Sequence, residues 1–164
     1  MMKYFWTYLT LLVLFVLQTT VGRYINIFGI APNLVFVFAV CYAMYNFPVR
    51  SAVLCVVAGL LADIYGSGIM GINGLLYMYI GLAVSLFGST LMKKSTPAVA
   101  IGVMVVSVLY QTVYFLICYT MRGYGPFVYT FVRLIIPGGI YDGAAALLIS
   151  MWTLWLSEEH IRGF

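Results

Sequence analysis

The sequence predicts an all-α integral membrane protein, a bundle of six transmembrane helices with both termini in the cytoplasm. Three observations predict it. Of 164 residues, 65% are apolar and only 7% are charged, whereas soluble domains carry roughly 25% charged residues. Mean hydropathy is +1.09. Of the eight basic and four acidic residues, the basic ones are scattered at the ends of apolar runs, so they set membrane orientation rather than a phosphate-binding face. No nucleic-acid partner is expected. The runs are continuously apolar, which excludes a membrane β-barrel. Lipid offers no partner to an unpaired backbone, so the spanning element is a helix.

Charges and breakers divide the chain into one polytopic domain over residues 1–164. The first span, 4–22, lies between Lys3 and Arg23. It is too long and too aromatic for a secretory signal core and has no small-residue cleavage site, so it reads as retained. Pro32 opens the second span, 31–47. Between Arg50 and Lys93 the single charge is Asp63. That stretch is too long for one span of about 20 residues and makes a hairpin. Its spans are 51–66 and 71–92, joined by a turn at Gly66-Ser67-Gly68 and Gly71. Ser95-Thr96-Pro97 opens the fifth span, 97–121. A loop with Gly123, Gly125 and Pro126 leads to the last, 134–157, where Gly138-Gly139 offers a helix start just before Asp142.

Orientation follows from the basic residues. With both termini inside, Lys3, Arg50, Lys93, Lys94 and Arg162 are cytoplasmic and Arg23, Arg122 and Arg133 are outside, as the positive-inside rule requires. Tyr4, Phe5, Trp6, Tyr8, Trp152 and Trp155 then form an inner aromatic belt.

Small residues recur at helical spacing. The fourth span has Gly74, Gly81, Ser85 and Gly88 on one stripe, the third has Cys55, Gly59, Ala62 and Gly66, and the sixth has Gly139, Gly143, Ala146 and Ser150. Such stripes let backbones approach closely. Either all three pack inside the bundle, or one, that of Gly81, receives a partner helix. The polar residues within spans are Gln18, Asn33, Asp63, Asn73, Gln111 and Asp142. At 1.5 Å per residue, Asp63 lies about 20 Å from Arg50 and Asp142 about 24 Å from Glu158, both in the outer leaflet. Carboxylates at that depth need a partner. The candidates are helix N-termini, arginines (Arg23 or Arg133 for Asp63), or a basic residue of another protein.

Most enzyme chemistries have no residues here. His160 sits in a charged tail with no Cys/His companion, so no metal site is expected. Gly66-Ser67-Gly68 lacks the lysine of a phosphate-binding loop. The three cysteines lie in apolar runs, which argues against a disulfide framework. An intramembrane aspartyl protease needs two facing carboxylates. Tyr141-Asp142 resembles half of that family's motif, but Leu60-Leu61-Ala62-Asp63 departs from the Gly-x-Gly-Asp of the other half.

Residues 31–81 carry a family resemblance. Ala31-Pro32-Asn33 opens an apolar helix and Phe47-Pro48-Val49-Arg50 closes it. Gly59-Leu60-Leu61-Ala62-Asp63-Ile64-Tyr65-Gly66-Ser67 then leads into Gly71. The string resembles the rod shape-determining protein MreD, and Leu17-Gln18 late in the first span is also similar. The resemblance implies a non-enzymatic inner-membrane component of the cell-elongation machinery, with no cofactor. It implies a bitopic MreC-type partner and a link between MreB filaments and peptidoglycan synthases. Taken with the small-residue stripes and the buried acids, the candidate structural or partner-binding residues of the chain are Pro32, Asn33, Arg50, Gly59, Asp63, Gly66, Gly71, Gly74, Gly81, Gly88 and Asp142. The alternative is the solute-binding membrane subunit of an energy-coupling-factor vitamin transporter, similar in size and helix number. In that reading Asp63, Asn73 and Asp142 line an outward pocket.

Overall fold

A computed structural model describes residues 2–21, 32–65, 70–91, 96–122 and 131–157. Every element among them is helical: α1 (Met2–Val21), α2 (Leu34–Tyr45), α3 (Pro48–Tyr65), α4 (Ile72–Leu91), α5 (Thr96–Arg122) and α6 (Ile136–Ser157). A π-helical turn, Phe131–Ile135, leads into α6. Arg23, Gly66, Lys93, Lys94, most of the Gly123 to Phe131 loop, and the tail with Glu158, His160 and Arg162 lie outside the described residues.

The second helix is shorter than the expected span 31–47. It is 12 residues, about 18 Å at 1.5 Å per residue, well under a 30 Å hydrocarbon core. Both ends have a local cause. Asn33 is the N-cap, its side chain accepting from the Phe36 N–H at 3.2 Å. Pro48 pushes the preceding residue out of the helical region, so α2 stops at Tyr45 and α3 begins at the proline. The helix is the axis of the molecule, with every residue from Val35 to Ala43 buried.

The other helices surround it, each running opposite to its predecessor. Gln18 of α1 meets Asn33 and Val35 at the start of α2. Ser85, late in α4, donates to the Asn46 carbonyl at the α2–α3 junction, 2.6 Å away. Gly138, Gly139 and Gly143 of α6 face Gln111, Val108 and Met104 of α5. Gly138-Gly139 therefore does not start the last helix but lies inside it, packed on α5. The π turn has its cause in Pro137, which cannot donate to the carbonyl four residues back.

The outer faces are apolar. Leu9, Val13 and Val16 of α1, Leu109, Val113 and Leu116 of α5, and Leu148 and Met151 of α6 are exposed. Bands of this extent are excluded from water on a soluble monomer and suit lipid. Two stretches, Pro97–Tyr119 and Arg133–Thr153, are long and apolar enough to cross a membrane by length and composition. Phe5–Thr20, Leu34–Tyr45 and Ile72–Phe87 are apolar but shorter.

Candidate functional site: a polar network at the start of two helices

At one end of the bundle the polar residues of five helices converge. The α3–α4 hairpin supplies the first part. Gly71, with φ +94°, adopts a conformation open to glycine and strained for other residues. It turns the chain so that the first N–H groups of α4 point back at α3. Asp63 receives them: Oδ2 accepts from Gly71 N at 3.0 Å and Gly74 N at 3.2 Å, and Oδ1 accepts from Asn73 N at 3.2 Å. A helix N-terminus offers unpaired donors and a partial positive charge, so the carboxylate is satisfied with no cation. Among the described residues its partners are these backbone groups, not the guanidinium of Arg133 expected as one candidate; Arg23 lies outside the described residues.

Asp142 does the same for α2. Its Oδ1 accepts from the Asn33 N–H at 2.7 Å. Its Oδ2 accepts from the Ser107 hydroxyl and from Gln111 Nε2. The residue is 1% exposed, deep enough that an unpaired carboxylate would be very costly. Gln18 completes the cap, with Oε1 accepting from Val35 N at 3.0 Å and Nε2 donating to Asn33 Oδ1 at 3.3 Å.

Two tyrosines join these caps. The Asn33 amide donates to the Tyr77 hydroxyl at 2.8 Å, and the Tyr110 hydroxyl donates to Asn73 Oδ1 at 2.8 Å. Their rings meet edge to face, with centroids 5.2 Å apart, and both contact the Phe36 ring. Edge-to-face packing of this kind fixes ring orientation. The six polar residues singled out within spans thus belong to one assembly. Ser107, Tyr77 and Tyr110 were not among them. Their signal is helical spacing: Ser107, Tyr110, Gln111 and Tyr114 fall on one face of α5, and Asn73 and Tyr77 on one face of α4.

Among the described residues, the small-residue stripes face inward. A Cβ on Gly59 would meet the Asn73 carbonyl oxygen and lie 2.6 Å from Gly74 Cα. One on Gly81 would lie 2.5 Å from Cys55 Sγ. The occupant of the Gly74–Gly81 stripe is α3 of the same chain, so the alternative of a partner helix seated on Gly81 is corrected. Gly88 continues α4, and its surroundings are outside the described residues. Pro32 and Asn33 precede α2, and Arg50 lies at the opposite end, in the first turn of α3. Cys41, Cys55 and Cys118 are free thiols. No cluster of metal-ligating side chains occurs among the described residues.

Beside the network lies a cavity of about 180 Å³, lined by Gln18, Asn33, Asn73, Tyr77, Tyr110 and Tyr114 among others. It offers amide and hydroxyl groups to a visiting polar group, but no paired nucleophile and base. Comparison with known proteins decides the family. The sequence model of the rod shape-determining protein MreD matches residues 1–158. The chain belongs to the MreD family. No curated protein and no solved structure matches it significantly. MreD proteins are membrane proteins that determine rod shape, and the apolar helices fit that environment. In this member of the family, Asp63 of the string that carries the resemblance is the residue that caps α4.

Proposed function

We propose that this MreD is a non-enzymatic, six-span inner-membrane scaffold of the bacterial elongation machinery, with both termini cytoplasmic. It binds a bitopic MreC-type partner and helps link MreB filaments to peptidoglycan synthesis. The observation that carries this reading is the family match over residues 1–158, which favours it over the vitamin-transporter alternative. Six antiparallel helices are compatible with termini on one side. In this orientation the network end faces the outer leaflet, where a partner's extracellular part begins.

The cavity at that end is the face assigned to the partner. Its amide and hydroxyl lining sits at a depth where lipid cannot satisfy polar groups, so a protein segment with its own donors and acceptors gains there. The test is Ala62→Phe, at a half-buried position on the cavity wall. The substitution fills space and removes no side-chain hydrogen bond. In a rod-shaped host lacking its own MreD, the wild-type chain is expected to restore rods and to co-purify with MreC. Ala62→Phe is expected to accumulate normally and do neither. Normal shape and unchanged co-purification would remove the cavity from the reading, and failure of the wild-type chain with a cognate MreC would remove the reading itself.

A further inference from the structure

At the end of the bundle opposite the network, residues of α1, α2 and α3 line a crevice of about 160 Å³. Its wall includes Thr7 and Tyr8 from α1, Tyr42 from α2, and Arg50, Val53 and Leu54 from α3. The lining residues combine apolar side chains with three that carry a hydroxyl, Thr7, Tyr8 and Tyr42, and one arginine. Phe47 and Val49, just before Arg50 in the chain, are 65% and 75% exposed. Large apolar side chains this exposed beside a cation belong at a membrane interface, where the side chains meet acyl chains and the charge meets headgroups.

We propose that this crevice seats the phosphate of an anionic phospholipid, with Arg50 as the cation that recognises it. The charges are complementary, and the shape of the site follows an amphipath. The planar guanidinium takes a phosphate through two parallel N–H bonds. Val53 and Leu54 line the part of the crevice that the glycerol and first methylenes enter. Basic pockets between membrane helices are recurrent headgroup sites. The site is remote from the network cavity, so it stands or fails independently of partner binding.

The experiment uses the full chain in detergent, with retained lipid read by native mass spectrometry. Phosphatidylglycerol competes against phosphatidylcholine of the same acyl chains, and glycerol 3-phosphate supplies the soluble headgroup. Wild type is expected to retain phosphatidylglycerol about fivefold over phosphatidylcholine, the size of one cation–headgroup attraction. Arg50→Gln is expected to bring the ratio to about one, and Arg50→Lys to keep part of it. Arg133→Gln, at the other end of the bundle, is expected to leave it unchanged. Val53→Trp fills the crevice while keeping the cation, and is expected to lower phosphatidylglycerol retention. If Arg50→Gln does not fold, Val53→Trp and wild type at rising salt carry the test. A wild type without preference, or a preference indifferent to Arg50→Gln or to both Val53→Trp and salt, would overturn the proposal. Glycerol 3-phosphate binding as well as the lipid would overturn it too, leaving a free-phosphate site.

Discussion

Gly59 and Asp63 stand one turn apart on α3 and act on the same object, the first turn of α4. Gly59 has no Cβ to hold that turn away: the Gly74 Cα would lie 2.6 Å from one. Asp63 then reaches the N–H groups of Gly71, Asn73 and Gly74. The close approach makes the cap possible, and the cap holds the close approach. The spacing of glycine and aspartate is therefore a single device, and it explains why a carboxylate is tolerated at a buried position.

The device separates two glycine substitutions. Gly59→Ala places a Cβ against backbone, which cannot rotate away, and is expected to destabilise the protein by about 1–3 kcal/mol. Gly71→Ala meets no atom within 4 Å, so its cost is the left-handed conformation alone, about 1 kcal/mol. Thermal unfolding of both in one detergent checks the order. Gly71→Ala proving the more damaging would refute the steric account.

Asp63→Asn keeps one acceptor oxygen but turns an NH2 toward an N–H that had a carboxylate oxygen. A loss of about 1–2 kcal/mol is expected, with partial support of rod shape. Asp63→Leu leaves three backbone donors unpaired, and loss of both protein level and rod shape is expected. Cell shape scored beside protein level is the measurement. A leucine variant that accumulates and functions would show that the cap is dispensable.

The contact between Gly81 and Cys55 predicts a compensating pair. Gly81→Ala drives its Cβ into Cys55 Sγ and should lower the unfolding temperature, and Gly81→Leu should prevent stable accumulation. Cys55→Ala removes the sulfur and is expected to restore part of the loss in Gly81→Ala. A double-mutant cycle reads the coupling. Strict additivity of the two changes would mean that α3 and α4 do not meet there.

Topology is tested by labelling. In a background without Cys41, Cys55 and Cys118, a cysteine at Gly125 is expected to react with an impermeant reagent from outside, and one at Lys94 only after permeabilisation. The reverse pattern would invert the orientation and place the network end at the inner leaflet.

Composition and charge placement already determined the membrane class and the helical class, and the motif string within residues 31–81 carried the resemblance to the family. In the string from Gly59 through Asp63 to Gly71 the turn and the close approach were legible because each favours glycine, while the role of Asp63 as a cap was one of several open readings. Helix edges followed local chemistry where that chemistry was strong, as at Asn33 and Pro48. Partners were another matter. Gln18, Asn33, Asp142 and Gln111 come from four different parts of the chain, and no spacing rule links them. The same holds for the short α2. Its apolar run reads as a span, yet it is a buried axis whose N-terminal donors are capped from α1 and α6. A carboxylate inside an apolar run accepts an arginine, a partner or a helix end equally well on paper. Only the packing of α3 on α4 and of α6 against α2 brought backbone N–H groups to Asp63 and Asp142, because a hydrogen bond depends on distance in space and not along the chain.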